Sequence, residues 1–124
     1  MCLRLTTSHV PIIAKEDILC YKVLRENSEC NISSFYYTHF WRLGVVDENY
    51  QPLQLDGYTG VIYGGVYHSY QNKDDAIEFW YAHNGDAGVY ECLIPKGSRI
   101  FYGIDDLAKS CFGSNKLKVV KKIF

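Results

Sequence analysis

GGVYHSYQNKDDAIEFWYAHNGDAGVYECLIPKG, residues Gly64 to Gly97, decides the fold class. A double glycine leads into Val66-Tyr67-His68-Ser69, whose β-branched and aromatic content predicts a strand. Asn72 follows as an N-cap, with Asp74 and Asp75 in the first turn, where carboxylates favour the positive end of the helix dipole. Ala76, Ile77, Trp80 and Tyr81 fall on one apolar face, and Asn84-Gly85 stops the segment. The pattern predicts one main helix over 72–84. Val89 to Ile94 alternates as a strand, and Pro95-Lys96-Gly97 closes it with a turn.

Outward from this unit the chain is rich in strand signals. Ile18 to Leu24 is mostly apolar and reads as a first strand. Pro11 sets a loose N-terminal arm apart from it. Phe35 to Leu43 is strongly aromatic and favours strand over helix. With Asn49, Pro52 and Asp56-Gly57 as breakers, Val45 to Asp56 reads as a turn region or an irregular hairpin. Glycines among Val, Ile and Tyr in 57–70 mark bulges or places where a backbone or ligand comes close. Arg99 to Tyr102 is a short extended piece, Asp105 to Cys111 reads as one or two helical turns, and Lys116 to Ile123 as a final strand. The expectation is five to seven short strands with one clear helix: a β-dominated α+β fold in one compact domain over residues 1–124.

Composition narrows the function classes. A chain of 124 residues buries roughly two-thirds of its unfolded surface, enough for a core without staples. The net charge of −1 gives no electrostatic footprint for duplex nucleic acid or an anionic membrane. The apolar runs fall far short of the roughly 18 residues that span a bilayer, and the N-terminus lacks a signal-peptide core. A cytoplasmic protein is expected. Cys2, Cys20, Cys30, Cys92 and Cys111 form no C-x-x-C pair, which argues against a zinc finger or a disulfide framework. Cys20 and Cys92 sit inside apolar strand patterns as core residues. Eleven Tyr against six Phe is the unusual ratio. Tyr joins an apolar ring to a polar tip, which suits a binding site or a subunit interface.

The candidate chemistry is polar recognition. His68-Ser69 at a strand end offers hydrogen bonds to a ribose or phosphate, and no Gly-x-Ser-x-Gly elbow surrounds Ser69. The bland alternative is a strand-end His that packs locally. Lys96, Arg99, Lys109, Lys116, Lys118, Lys121 and Lys122 make the last third basic. They suit phosphates, or equally a solvated strand whose lysines protect a sheet edge. Glu78 on the helix and Glu91 in a strand have no recognisable carboxylate partner. No phosphate-binding or zinc-binding motif occurs.

Two resemblances add to this. Cys20 to Leu24, His68-Ser69-Tyr70, Cys92 to Ser98 and Ser114 to Leu117 together resemble a group of small uncharacterised proteins of gut bacteria and their phages. Separately, Gly65-Val66-Tyr67, the helix with Lys73, Ala76 and Trp80-Tyr81-Ala82, and the strand Val89 to Leu93 resemble the ADP-ribosyltransferase pattern. That resemblance implies that Tyr67 stacks on nicotinamide or an equivalent ring, and that Tyr21-Lys22 takes the first-strand position that binds the ribose. The chain departs from the family at two places. Tyr21-Lys22 stands where the family has His or Arg. Ser114-Asn115-Lys116-Leu117 stands where its late catalytic Glu begins the last strand, and a lysine cannot stabilise an oxocarbenium-like transition state as a carboxylate does.

The expected function is therefore non-catalytic binding of a nucleotide-like small molecule. An anti-defence role fits a phage-encoded chain, which would sequester a cyclic nucleotide or ADP-ribose-type signal in the host cytoplasm. The candidate ligand-binding residues are Tyr21, Lys22, Tyr67, His68, Ser69, Arg99 and Lys116. No catalytic residue, metal site or cofactor is expected, and neither duplex nucleic acid nor membrane is an expected partner. The aromatic content leads us to expect a homo-oligomer. One alternative is an ADP-ribosyltransferase or NAD glycohydrolase with Glu78 or Glu91 as a relocated carboxylate. Another is an oligomeric interaction module that inhibits a host protein through an exposed face carrying Phe35, Tyr37 and Trp41.

Overall fold

The computed structural model describes residues 3–6, 10–26, 32–33, 39–82 and 87–124, with residues 32–33 by backbone alone. The strands in chain order are β1 (Leu3–Leu5), β2 (Ile12–Ile13), β3 (Ile18–Glu26), β4 (Ile32–Ser33), β5 (Phe40–Trp41), β6 (Val46–Glu48), β7 (Gln54–Asp56), β8 (Val61–Gly64) and β9 (Tyr67–Tyr70). After helix α1 (Lys73–Ala82) come β10 (Ala87–Ile94), β11 (Arg99–Ile104), β12 (Ser110–Ser114) and β13 (Lys116–Lys122). The fold is strand-dominated α+β, and among the described residues no helix is long and apolar enough to cross a membrane.

All strands join one sheet whose main path runs β6-β13-β10-β3-β9-β12-β11-β1-β8-β7. β12 and β13 are separated by Asn115 alone, yet they sit at opposite ends of the run β13-β10-β3-β9-β12. The sheet therefore curls until one bent chain segment borders both ends of that run. Asn115 fixes the bend. Its side-chain oxygen accepts from the Arg99 amide at 2.7 Å, and its own N–H donates to the Arg99 carbonyl.

Strand alternation gives the sheet two apolar faces. On one, Cys20, Leu24, Trp41, Tyr67, Tyr90, Cys92, Phe112, Leu117 and Val119 form a core. On the other, Val23, Val66, Tyr70, Val89, Phe101 and Cys111 pack with Leu3 and with Ala76 of α1. Cys20 and Cys92 are buried and directly opposite each other across β3 and β10.

Several expectations change here. The N-terminal arm is not loose: β1 is inserted between β11 and β8, with Leu3 fully buried. Residues 105–111 hold no helical turn. Asp105 accepts from the amides of Leu107 and Lys109, both at 2.9 Å, and so shapes a hairpin into β12. The segment expected to be a turn region or an irregular hairpin carries β6 and β7, which pair with β13 and β8 rather than with each other. The expected long strand over 35–43 is described only at Phe40–Trp41, since 34–38 lie outside the described residues. The helix runs over Lys73–Ala82, and Asn84-Gly85 also lies outside them. On α1, Ile77 and Trp80 pack inward as expected, but Phe79 joins them and Tyr81 is 65% exposed. Trp80 swings the inward arc because its Nε1 donates to the Ala87 carbonyl at 2.8 Å.

Candidate functional site

β3 and β9 meet at one paired position, Tyr21 opposite Tyr70. Continuing that antiparallel register would bring Lys22 opposite Ser69 and Val23 opposite His68, but the ladder stops. Each strand is held by its other neighbour. β3 keeps register with β10 from Ile18 to Arg25, and β9 with β12 along its whole length. The two strands therefore part beyond Tyr21–Tyr70 and leave a seam. Lys22 reaches into it, and its Nζ donates to the main-chain carbonyl of His68. A side chain thus supplies the donor that a paired strand would otherwise give.

The surroundings of Lys22 are unusual for an amine. The ionisable groups that act on it are the thiols of Cys92, Cys20 and Cys111, with no carboxylate among them. Burial is the larger effect and pushes its pKa down from the ordinary lysine value. The residue is only half-buried overall, so the stem keeps some surface while the amine lies deep.

Neighbouring residues of a strand point to opposite faces. Tyr67 and Ser69 therefore face the core that holds Cys20 and Cys92, and His68 and Tyr70 face the core under α1. Ser69 is 3% exposed and lies beside Cys20, where it eases ionisation of a thiol that burial still pushes up to about 11. Even so, Ser69 Oγ has no hydrogen-bond partner of good geometry among the described residues. His68 Nε2, on the opposite face, is also buried and has no hydrogen-bond partner among the described residues. Burial first, and the nearby Lys22 second, hold the imidazole neutral with its pKa pushed down to about 3.

Tyr67 carries the seam outward into an aromatic group. Its ring lies 4.8 Å from Trp41 and 5.3 Å from His39, which are themselves 4.5 Å apart. His39 Nε2 faces Asp47 Oδ2 at 3.5 Å. Burial, and then the negative charges of Asp47 and Glu48, push the Tyr67 hydroxyl up to about 12, so it is an un-ionised donor at neutral pH. Lys116 borders this group through its ion pair with Glu48 at 3.6 Å.

Of the seven residues singled out from the sequence, Lys22, His68 and Ser69 meet at the seam, and Tyr67 adjoins it. Lys116 lies at the rim, bound to a carboxylate. Arg99 is exposed at the Asn115 bend, and Tyr21 packs against the helix-side core. Most other lysines of the last third are also paired: Lys109 with Asp75 and Glu78, Lys121 with Glu91, Lys122 with Glu26. Glu78 and Glu91 thus lie in ion pairs away from the seam. Trp41 is only 3% exposed, so it is not part of an exposed aromatic face; Phe35 and Tyr37 lie outside the described residues.

Sequence reasoning missed His39, Trp41 and Asp47 as neighbours of Tyr67. They come from segments 20 or more positions earlier: Trp41 from β5, and Asp47 from β6, which pairs with β13. Compared with protein-family models, curated proteins and solved structures, the chain matches none.

Proposed function

We propose that the protein binds a nucleotide-like small molecule without transforming it, at the seam between β3 and β9. One observation carries this reading. Among the described residues a lysine amine is buried without a carboxylate acting on it, and the buried Ser69 hydroxyl on the same face, beside the Cys20 thiol, makes no hydrogen bond of good geometry. Unsatisfied buried polar groups cost stability and are rare unless something completes them. A ribose hydroxyl or a phosphate oxygen supplies what both lack, and the Tyr67 hydroxyl adds a donor at the outer end. The resemblance to ADP-ribosyltransferases fits, since Tyr21-Lys22 lies on the strand that borders the seam, and the missing late carboxylate fits a binder that has lost the reaction. In a phage-encoded protein this activity would remove a signalling nucleotide from the host cytoplasm.

Calorimetry against ADP-ribose, its cyclic forms and cyclic di- and trinucleotides tests the reading. We expect heat with at least one of them, abolished by Lys22→Met. Absence of heat with every ligand would sink it.

A second reading rests on a separate feature. Phe40, Leu43, Val46, Tyr50 and Leu53 are all exposed within one stretch of chain. Exposed apolar side chains so close along the chain suit self-association or a protein partner. Light scattering that shows a monomer across the micromolar range would remove self-association from consideration.

A further inference from the structure

We propose that Cys20 and Cys92 are a redox-responsive pair, which a disulfide oxidant of the glutathione type links across β3 and β10. The link locks the strand that borders the seam, since Cys20 and Lys22 flank Tyr21. It needs no ligand there.

Three features of the ladder support it. The two residues are directly opposite in a register that runs unbroken from Ala87 to Ile94 of β10. Both belong to the same core, so their thiols project from the same face of the sheet. Cys111, the other described cysteine, belongs to the opposite core. Backbone bonding then fixes the spacing. Val89 turns its amide and carbonyl to the β13 side, where they bond Phe124 and Ile123. Three positions on, alternation turns those of Cys92 towards β3. Cys20 and Cys92 thus form a hydrogen-bonded pair, with Cα atoms about 5.5 Å apart. Disulfides span Cα separations of about 4.4–6.8 Å. The Cβ atoms of facing residues lie about 4.5–5.5 Å apart, against roughly 3.5–4.5 Å in a disulfide. Closure draws them together by about 1 Å and leaves strain. Strained disulfides are the easily reduced, regulatory ones. No cavity is required, because the bond joins side chains that already face each other.

The step balances with its oxidant. The Cys20 thiolate attacks one sulfur of RS–SR, forms a mixed disulfide and expels RS⁻. The Cys92 thiolate then attacks the Cys20 sulfur, closes the Cys20–Cys92 bond and expels the second RS⁻. The two protons lost by the thiols pass to the two released thiolates, giving two RSH. Both thiols are fully buried, and burial pushes Cys20 up to about 11 and Cys92 upward as well, so the closed sheet reacts slowly. β9 joins β3 at one pair alone, Tyr21–Tyr70. Local opening there, or folding itself, gives the oxidant its access.

The test unfolds the reduced full chain in urea and refolds it into a mixture of oxidised and reduced glutathione, which guarantees access. Trypsin puts each of the five cysteines on its own peptide, with Cys20 on 16–22 and Cys92 on 74–96. We expect these two peptides joined in the monomeric fraction, with the loss of two hydrogen masses. Excess reduced glutathione in urea should part them again. Cys92→Ser should abolish the link and Cys111→Ser should keep it, while the map of the unmodified chain needs neither variant to fold. Both thiols still free after refolding overturn the proposal. So does a link through Cys2, Cys30 or Cys111, or a separate glutathione adduct on each of Cys20 and Cys92. Oxidant added to the folded chain should give the same link slowly, and faster as urea opens the sheet. A folded chain that never links overturns the redox response.

Discussion

Lys22 Nζ donates to the carbonyl oxygen of His68 at the point where β3 and β9 cease to be paired. A buried amine with no counter-charge burdens the fold. The hydrogen bond to one carbonyl returns only about 1 kcal/mol. Lys22→Met keeps the length and volume of the stem and removes the desolvation cost. Its unfolding free energy in urea titrations should therefore hold or rise, by up to about 1–3 kcal/mol, while ligand heat disappears. A clear loss of stability in this variant would show that Lys22 is a structural residue.

His68 makes stability depend on pH. Its folded pKa is pushed down to about 3 from an unfolded value of 6.5. Above pH 6.5 neither state is protonated and nothing is lost. Below it the unfolded chain takes up a proton that the native imidazole refuses, so stability falls as pH falls. The slope approaches about 1.4 kcal/mol per pH unit. Between pH 7 and 5.5 this amounts to roughly 1 kcal/mol, in a range where carboxylates titrate little. His68→Gln should flatten the thermal midpoint across that range. An unchanged slope in the variant would remove His68 as its source.

The helix and the strand from Val89 to Ile94 were legible because their signals are local. Acidic residues open α1, and one apolar arc and simple alternation do the rest. His68 and Ser69 were legible as polar residues in a strand pattern, though they sit buried inside β9 rather than at an exposed end, and Lys22 was singled out only by the resemblance that put Tyr21-Lys22 on the first strand. Their convergence was not, because it depends on β9 pairing with β3 at a single position and then parting from it. The aromatic group around Tyr67 was hidden for a related reason: Trp41 comes from β5, a strand of two residues, and Asp47 from β6, an edge strand of three. The hairpin at Asp105 was misread because an Asx turn and a helix start share the same acidic, small-residue signal.

Tyr70 Oη donates to Asp105 Oδ2 at 2.9 Å, and both residues are buried. Asp105 also holds two amides of the hairpin, so one carboxylate ties β9 to the turn that starts β12. Asp105→Ala should cost roughly 2–4 kcal/mol, since it strands a buried hydroxyl and two amides. Tyr70→Phe should cost about 1 kcal/mol. In the double variant the two losses should add up to less than their sum, because they share one hydrogen bond. Full additivity in urea titrations would mean that the bond contributes nothing.

Gly65 turns the chain from β8 into β9 with φ of +89°, and a Cβ there would lie 2.6 Å from Leu53 Cα and 2.7 Å from the Pro52 carbonyl oxygen. Gly97 has nearly the same φ, +88°, but nothing within 4 Å. The pair separates two effects. Gly97→Ala meets only the left-handed backbone penalty, about 1–2 kcal/mol. Gly65→Ala meets that penalty plus a clash with main chain that cannot rotate away, and should cost roughly 2–4 kcal/mol. Gly65 also directs β9, so its variant should weaken ligand binding at the seam, while Gly97→Ala leaves it intact. Equal stability losses for the two variants would show that the 52–53 backbone yields, and that the approach at Gly65 does not fix the course of β9.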